Sequence, residues 1–219
     1  MDEIRLTPAR ALLAATALVA CLCPRALPAQ PMEGVDYVLI DPPLARNTAG
    51  IEVVEFFYYG CESCHRFEPL LQQWLAGKPA DVDFRRVPAL RRAQWIPLAR
   101  LFFALDELGA LPRLHGEAYR AFHDLNRDLA SRPQAVQWAS SHGLDGERFE
   151  QALLSDAVTL KVQRARDTTI RYGVRATPSL AVDGRYLTSG QLLGDIEQLI
   201  PVLDGLVNMA RRSRAGGEH

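Results

Sequence analysis

The sequence predicts an α/β protein in which a β-α-β unit and a β-β-α unit are separated by a long all-helical segment. Three observations support this fold class. The apolar run IEVVEFFYY (51–59) passes through a glycine into a helical pattern, as expected for a strand covered on both faces. Residues 93–172 show only helical patterns. The segment TPSLAVDGRYLT (177–188) predicts a β-hairpin, and a last helix follows it.

Length and charge narrow the possible functions. The chain has 219 residues, which suits one domain with an insertion. It is 48% hydrophobic, as a globular protein is, and its formal net charge is −1. A nearly neutral chain gives no support for nucleic-acid binding, so we expect no nucleic-acid partner.

The N-terminus predicts export. Arg5 and Arg10 precede an apolar run over residues 11–23, and small residues follow up to a plausible cleavage point after Ala29. Residues 1–29 are therefore predicted to be a cleaved signal peptide. The stretch ending at Cys21 also resembles the lipobox of bacterial lipoproteins, so a lipid anchor at Cys21 is kept as an alternative.

The elements before the helical segment follow from apolar patterning. A short strand is predicted over 36–40, then the strand 51–59, a helix over 62–76 and a second long strand over 82–90. Pro69 lies inside the predicted helix and should kink it. A basic cluster that includes Arg85 and Arg86 is expected to form a solvated rim.

The helical segment and the C-terminus complete the predicted domain organisation. Asp145 and Asp156 are candidate helix N-caps within the insertion, 93–172. The predicted domain that contains the sheet takes 35–92 together with 173–208. One helix is expected after the hairpin, and residues 209–219 are expected to be a disordered tail.

The motif Cys61-Glu62-Ser63-Cys64-His65 has two interpretations, covalent haem attachment and a redox dithiol. As a redox pair, Cys61 lies at the start of a helix, where unpaired backbone N–H groups and the helix dipole stabilise a thiolate. Cys64 follows one turn later on the same face and should be the less accessible sulfur. We therefore predict that Cys61 and Cys64 are catalytic and that Glu62, Ser63 and His65 tune them.

Two non-enzymatic alternatives use the same residues. A haem protein would need a distal ligand, for which the candidates are His115, His123 and His142. A zinc or copper site on the two cysteines and His65 would have only three ligands. The strand that precedes the motif is not typical of a small helical cytochrome, so both alternatives are secondary, and we predict no cofactor and no resident metal.

Glu55, Thr177 and Pro178 are the remaining candidate site residues. A carboxylate inside an apolar strand is either solvated at a rim or buried with a raised pKa, in which case Glu55 exchanges protons with Cys64. Thr177-Pro178 precedes an apolar strand and its peptide bond is a candidate for the cis form. If this turn packs beside the cysteines, the backbone of Thr177 is free to pair with a substrate peptide.

Taken together, VVEFFYYGCESCHRFEP, a helical block and GVRATPSLAVDGRYL resemble the DsbA family of thiol oxidases over roughly residues 35–208. The resemblance implies a thioredoxin fold, a central mixed sheet flanked by helices, with a cis peptide bond before Pro178 facing the cysteines. It also implies a periplasmic enzyme without a cofactor that donates its Cys61–Cys64 disulfide to folding exported polypeptides. A DsbB-like quinone-coupled membrane protein would reoxidise it.

Two departures from the family pattern leave the direction of electron flow open. Glu62-Ser63 stands where well-known members have Pro-His, and a negative charge beside Cys61 should raise its pKa and make the disulfide less oxidising. A threonine before Pro178 is typical of the isomerase-like relatives, which are dimers with an additional N-terminal domain. We expect a monomeric oxidase, and keep as the alternative a periplasmic reductase or isomerase that a membrane donor holds reduced.

Overall fold

A computed structural model describes residues 30–45 and 48–217. It contains a five-stranded mixed sheet in the order β1-β5-β4-β2-β3. Only β2 and β3 are parallel neighbours; the other pairs are antiparallel. The strands are β1 (Val38–Leu39), β2 (Ile51–Phe57), β3 (Val82–Pro88), β4 (Ser179–Val182) and β5 (Tyr186–Ser189).

Eight α-helices flank the sheet in the described part of the chain. Short 3₁₀ segments, Ala93–Trp95 and Ile196–Gln198, precede the second and the last of them. The helices are α1 (Glu62–Gly77), α2 (Ile96–Glu107), α3 (Leu111–His123), α4 (Arg132–Ser141), α5 (Gly146–Leu154), α6 (Asp156–Arg171), α7 (Gly190–Leu193) and α8 (Leu199–Ala215). The predicted fold class is confirmed, and α2 to α6 lie within the predicted insertion.

Strand β2 lies between β4 and β3 in the sheet, and all seven of its residues are buried. Val53 packs with residues of α1 and α8 on one face of the sheet. Val54 and Phe56 pack with residues of α2 and α6 on the other face. Both faces of the strand are therefore covered, which explains why its sequence is almost continuously apolar rather than alternating.

The helical insertion has an apolar core of its own, and this core begins at the end of β2. Phe57 and Tyr59 pack there with Leu101, Leu114 and Phe149 from three different helices of the insertion. The carboxyl end of β2 is thus the junction between the sheet and the insertion, and it lies directly before the two cysteines.

The β4–β5 hairpin turns at Asp183 and Gly184, as the Asp-Gly pair predicted. Their φ angles are +56° and +66°, and two successive positive φ values are typical of the type I′ turn that suits a two-residue hairpin. A Cβ atom at Gly184 would lie 2.4 Å from the backbone oxygen of Leu44. Glycine is therefore required at this position for its conformation and for its lack of a side chain.

The single helix expected after the hairpin is divided. Gly194 has a φ of +72° and ends α7 after one turn. The side chain of Asp195 then accepts a hydrogen bond from the backbone N–H of Glu197 and begins a new helical segment. In the insertion, Asp145 caps α5 as predicted, whereas Ser155 rather than Asp156 caps α6.

The prediction of a disordered tail from residue 209 is wrong up to Ala215, where α8 ends. Two arginines of this last segment bind acidic residues that are distant in sequence. Arg211 Nε lies 2.6 Å from Asp81, and Arg214 forms an ion pair with Asp183. These contacts, together with the buried side chain of Ala210, hold the final turns of α8 against the domain.

The predicted signal peptide, including Cys21, lies outside the described residues. Among the residues that are described, no helix has both the length and the apolarity that a membrane crossing requires.

Candidate active site

The two cysteines lie where α1 begins, immediately after the end of β2. Cys61 is the N-cap residue of α1, with φ −97° and ψ 114°, and no side chain caps the first turn. The backbone N–H groups of that turn are therefore available to the Cys61 sulfur. Cys61 is partly exposed, whereas Cys64 is fully buried. The predicted difference in accessibility is present.

The Thr177-Pro178 turn packs against the exposed sulfur. The peptide bond between these residues is cis, and Pro178 is buried. The Cys61 thiol donates a hydrogen bond to the backbone oxygen of Thr177 over 3.2 Å. The cis bond and its position opposite the cysteines agree with what the family resemblance implied.

The surroundings of Cys61 favour its thiolate. Hydrogen bonds from the Cys64 thiol, from the side chain of Thr177 and from the backbone N–H groups of Cys64 and Ser63 outweigh partial burial and lower the pKa of Cys61 from 9.0 to about 6. At neutral pH, Cys61 in the reduced protein is therefore mostly ionised. The negative charge of Glu62 does not prevent this, because its carboxylate is directed at His123, 3.2 Å from Nδ1.

Cys64 has the opposite character. Burial, followed by its hydrogen bond to Cys61 and the negative charge of that sulfur, raises the pKa of Cys64 well above 9.0. Cys64 consequently holds its proton when the pair is reduced. One sulfur of the motif is a stable anion and the other is a protonated thiol, which is the asymmetry that thiol–disulfide exchange requires.

Glu55 is completely buried, so the rim alternative for this residue is wrong. Arg86 is its neighbour across the parallel β2–β3 pair, and Arg86 Nε donates to Glu55 Oε2 over 2.8 Å. Despite this ion pair, burial raises the pKa of Glu55 from 4.5 to about 8. Arg86, with a side chain that is only 15% exposed, is likewise not part of a solvated rim. The register of β2 and β3 places Arg86 beside the buried carboxyl group of Glu55, with which it forms an ion pair.

Three further polar residues extend this buried network. His115 was predicted only as a candidate haem ligand, and Glu68 and Tyr59 were not predicted as site residues. Arg86 also contacts Glu68 of α1 at 3.2 Å. His115 of α3 lies 3.5 Å from Glu68, and its Nδ1 is hydrogen-bonded to the Tyr59 hydroxyl over 2.8 Å. A polar residue at a helix position that should be apolar, such as Glu68 or His115, is the sequence signal that could have identified them.

Aromatic and histidine side chains form the rim of the site. Tyr58 and Trp95 are stacked, with ring centroids 4.3 Å apart. His65, one turn beyond Cys61, is stacked against His123, with centroids 4.9 Å apart. His123 Nε2 lies 2.7 Å from the backbone oxygen of Tyr59. The end of α3 thus covers the first turn of α1.

The haem alternative, and the alternative of a metal ion bound by the two cysteines, gain no support from this geometry. Of the three histidines considered as distal haem ligands, His115 is committed to Tyr59, and His142 lies at the end of α4 with its ring on Trp138. Within the described ranges, the group of side chains that could hold a metal ion contains no cysteine. The strand–motif–helix arrangement is instead that of an exchange-active dithiol.

Comparison with known proteins agrees with this geometry. The family model for a DSBA-like thioredoxin domain matches residues 71–200. The chain is 36% identical over 207 residues to a thiol:disulfide interchange protein DsbA of Bordetella parapertussis, a match that covers 93% of this chain and 95% of the relative.

Solved structures give the same result. The crystal structure of Pseudomonas aeruginosa DsbA has a TM-score of 0.78 and 30% identity, and the match covers 83% of this chain and 95% of that one. DsbA from Xylella fastidiosa has a TM-score of 0.78 and 31% identity, covering 84% of this chain and all of the other. The chain therefore belongs to the DsbA family of thioredoxin-fold thiol:disulfide oxidoreductases.

Proposed function

We propose that this protein is a periplasmic oxidase that donates the Cys61–Cys64 disulfide to folding exported polypeptides. The observation that carries the proposal is the difference between the two sulfurs: the accessible one has a pKa of about 6, and the buried one has a raised pKa. A stabilised Cys61 thiolate favours the reduced protein, and a protein that is stable when reduced gives up its disulfide readily.

The exchange takes place in two steps. A substrate thiolate attacks Cys61, a mixed disulfide forms, and the bond to Cys64 breaks. Cys64 leaves with the bonding electron pair and takes up a proton, for which Glu55, with a pKa of about 8, is the buried donor. A second substrate thiolate then attacks the substrate sulfur of the mixed disulfide and expels Cys61 as a thiolate. The substrate dithiol is oxidised to a disulfide, and the enzyme disulfide is reduced.

The turn before β4 supplies the binding surface for the substrate chain. Thr177 precedes the first residue of β4, so it lies outside the hydrogen-bond ladder of the sheet. Its carbonyl oxygen is 3.2 Å from the Cys61 sulfur. An extended peptide that pairs with the backbone of Thr177 would place its own cysteine beside Cys61. Pro178 has no N–H to donate, so it cannot pair with a neighbouring strand of the protein in the way that a strand residue does. The backbone beside it therefore stays available to the substrate.

Two variants test the order of attack. Cys61→Ser should abolish oxidation of a reduced, unfolded test protein by the purified enzyme. Cys64→Ala should accumulate mixed disulfides through Cys61, visible as reducible adducts on gel electrophoresis. Full activity of Cys61→Ser, or adducts that form on Cys64 instead, would overturn the assignment.

The direction of electron flow is tested by the equilibrium of the Cys61/Cys64 pair with a glutathione redox buffer. An oxidase should be reduced by glutathione at low ratios of reduced to oxidised glutathione. A pair that remains oxidised until glutathione is strongly reducing would instead favour the reductase or isomerase alternative.

Location and reoxidation are parts of the same proposal. We expect export with cleavage after Ala29, a monomeric mature protein, and reoxidation by a DsbB-like quinone-coupled membrane protein. Mass spectrometry of the native N-terminus distinguishes cleavage after Ala29 from lipidation at Cys21. Reoxidation of the reduced enzyme by membranes with added quinone, and its loss when quinone is omitted, tests the partner.

A further inference from the structure

A second cluster of chemically active side chains lies beside the dithiol. Glu62 and His65 come from the first turn of α1, and His123 comes from the last turn of α3. One potential ligand atom from each of these residues lies within 4.8 Å of the other two. We propose that Glu62, His65 and His123 form a binding site for a divalent transition-metal ion of the zinc type, separate from the two cysteines.

The orientation of His123 is the strongest argument for this site. Its Nε2 atom is 2.7 Å from the backbone oxygen of Tyr59, which only accepts hydrogen bonds, so Nε2 carries a proton. In the neutral ring, Nδ1 then has a free lone pair. A backbone carbonyl that fixes the tautomer in this way is typical of a metal-binding histidine.

The free nitrogen faces a negative group. Nδ1 of His123 lies 3.2 Å from Oε2 of Glu62, and the His123 side chain is nine-tenths buried, with 10% exposure. A lone pair and a carboxylate oxygen repel each other at this distance unless a positive group lies between them. A metal ion bound by both atoms removes the repulsion, because imidazole and carboxylate are both ligands for zinc.

His65 completes the set of ligands. Its ring is stacked on His123 with an interplanar angle of 8°, and its Nε2 lies 3.7 Å from the Asp124 carboxylate. Ligand atoms around a tetrahedral zinc ion are about 3.3 Å apart, so the cluster must contract. Glu62 and His65 have side chains that are 70% and 24% exposed, and both can change rotamer to do so.

The ligand types select the ion. Two imidazoles and one carboxylate suit Zn²⁺ and leave one coordination position for water or for Asp124. Mg²⁺ and Ca²⁺ prefer oxygen ligands, and they should not bind here.

A bound cation would act on the neighbouring sulfur. It would neutralise Glu62, the residue directly after Cys61, and would place positive charge beside the Cys61 thiolate. Zn²⁺ should therefore make the disulfide more oxidising, a consequence that rests on the proposed function. The binding itself does not rest on that function, so failure of the site and failure of the oxidase proposal are distinguishable.

The test is isothermal titration of Zn²⁺ into the full, tag-free mature protein with the Cys61–Cys64 disulfide closed. A Cys61→Ser/Cys64→Ser protein serves as a second sample, and neither sample offers a thiol to the metal. We expect one ion per protein in both, no binding of Mg²⁺, and a shift of the His123 Nδ1 resonance in ¹⁵N NMR.

Three single variants locate the site. Glu62→Gln, His65→Ala and His123→Ala should each weaken Zn²⁺ binding at least tenfold, whereas His142→Ala, which removes a histidine at the end of α4, should leave it unchanged. Glu62→Gln changes an exposed side chain and will fold even if His123→Ala does not. Absence of binding up to about 1 mM Zn²⁺, a concentration at which only very weak sites remain empty, overturns the proposal. Equal affinity in Glu62→Gln and His65→Ala overturns it too, and either result leaves a simple ion pair between Glu62 and a protonated His123.

Discussion

The ionisation of Cys61 makes the stability of the reduced protein depend on pH, and this can be measured against Cys61→Ser. The pKa of Cys61 is about 6 in the folded protein and has an ordinary value of 9.0. A depressed pKa stabilises the fold fully above the pKa of the unfolded chain, and this stabilisation is lost as the pH falls through about 6. Acidification should therefore weaken the reduced wild type more than it weakens Cys61→Ser.

The magnitude follows from the size of the pKa shift. A displacement from 9.0 to about 6 corresponds to about 4 kcal/mol of thiolate stabilisation at high pH. At pH 7 only the part between pH 6 and pH 7 is realised, which is about 1.4 kcal/mol, or about 30 mV for a two-electron couple. Between pH 5 and pH 8 the reduced wild type should gain about 2.5 kcal/mol relative to Cys61→Ser.

Urea denaturation of both reduced proteins at pH 5, 6, 7 and 8 measures this difference. Glu55 titrates in the same range with the opposite sign, but it is present in both proteins and largely cancels in the comparison. Thiolate absorbance in the ultraviolet should titrate with a midpoint near pH 6 in the wild type, with no such transition in Cys61→Ser. A midpoint above pH 8, or parallel stability curves for the two proteins, would refute the assigned stabilisation of the Cys61 thiolate.

Three other substitutions, with one control at an exposed position, test the buried structure around the site. The folded pKa of Glu55 lies above its ordinary value, so its contribution to stability is complete below pH 4.5 and is lost as the pH rises to about 8. Between pH 5 and pH 8, the unfolding free energy of Glu55→Gln from urea denaturation should therefore rise by at least about 2 kcal/mol relative to that of the wild type. Parallel stability curves for the two proteins would contradict this. Tyr59→Phe leaves the buried Nδ1 of His115 without its hydrogen-bond partner and should cost about 1–3 kcal/mol of unfolding free energy. An unchanged midpoint would show that the hydrogen bond contributes little. Leu101→Ala, at a fully buried position, should lower the unfolding free energy by about 2–5 kcal/mol. Leu160→Ala, at a position that is 46% exposed, should change it by less than about 0.5 kcal/mol. Similar losses in both variants would contradict the assigned core.

Features that depend on neighbouring residues were predictable. The burial of β2 is visible in its apolar run, and the Asp183-Gly184 turn is visible because few residue pairs accept two positive φ values. The position of Cys61 at the start of a helix follows from Gly60 and from the helical pattern after it. In each case the physical cause lies within a few residues of its effect.

Features that depend on distant partners were not predictable in the same way. Arg86 is buried because the parallel register of β2 and β3 places it beside Glu55, and a single sequence does not specify that register. The last turns of α8 are ordered through partners such as Asp81, which is 130 residues away from Arg211. His123 contacts Glu62 and His65 because α3, an element of the insertion, ends over the first turn of α1. From the sequence alone, an arginine-rich tail and a histidine in a helix are both predicted to be exposed to solvent. Their partners are known only once the tertiary fold is known.

The distribution of charge in the buried network explains why Glu55, and not Glu68, keeps a proton. Both carboxylates share one cation, Arg86, so only one of them has its charge balanced by it. Burial acts to raise the pKa of Glu68, but His115, Arg86 and a hydrogen bond from Gln72 outweigh it and lower that pKa. Glu55 has Arg86 alone, with its Oε1 buried and unpaired, and its pKa is raised to about 8.

The same charge balance connects the network to the buried sulfur. The negative charge of Glu55 is one of the influences that raise the pKa of Cys64. An ionised Glu55 and an ionised Cys64 therefore disfavour each other, and one proton shared between them satisfies both. In the proposed exchange, release of Cys64 as an anion gives the proton held by Glu55 a buried acceptor. Transfer of that proton exchanges one buried anion for another, and the Glu55 carboxylate that results keeps its hydrogen bond from Arg86.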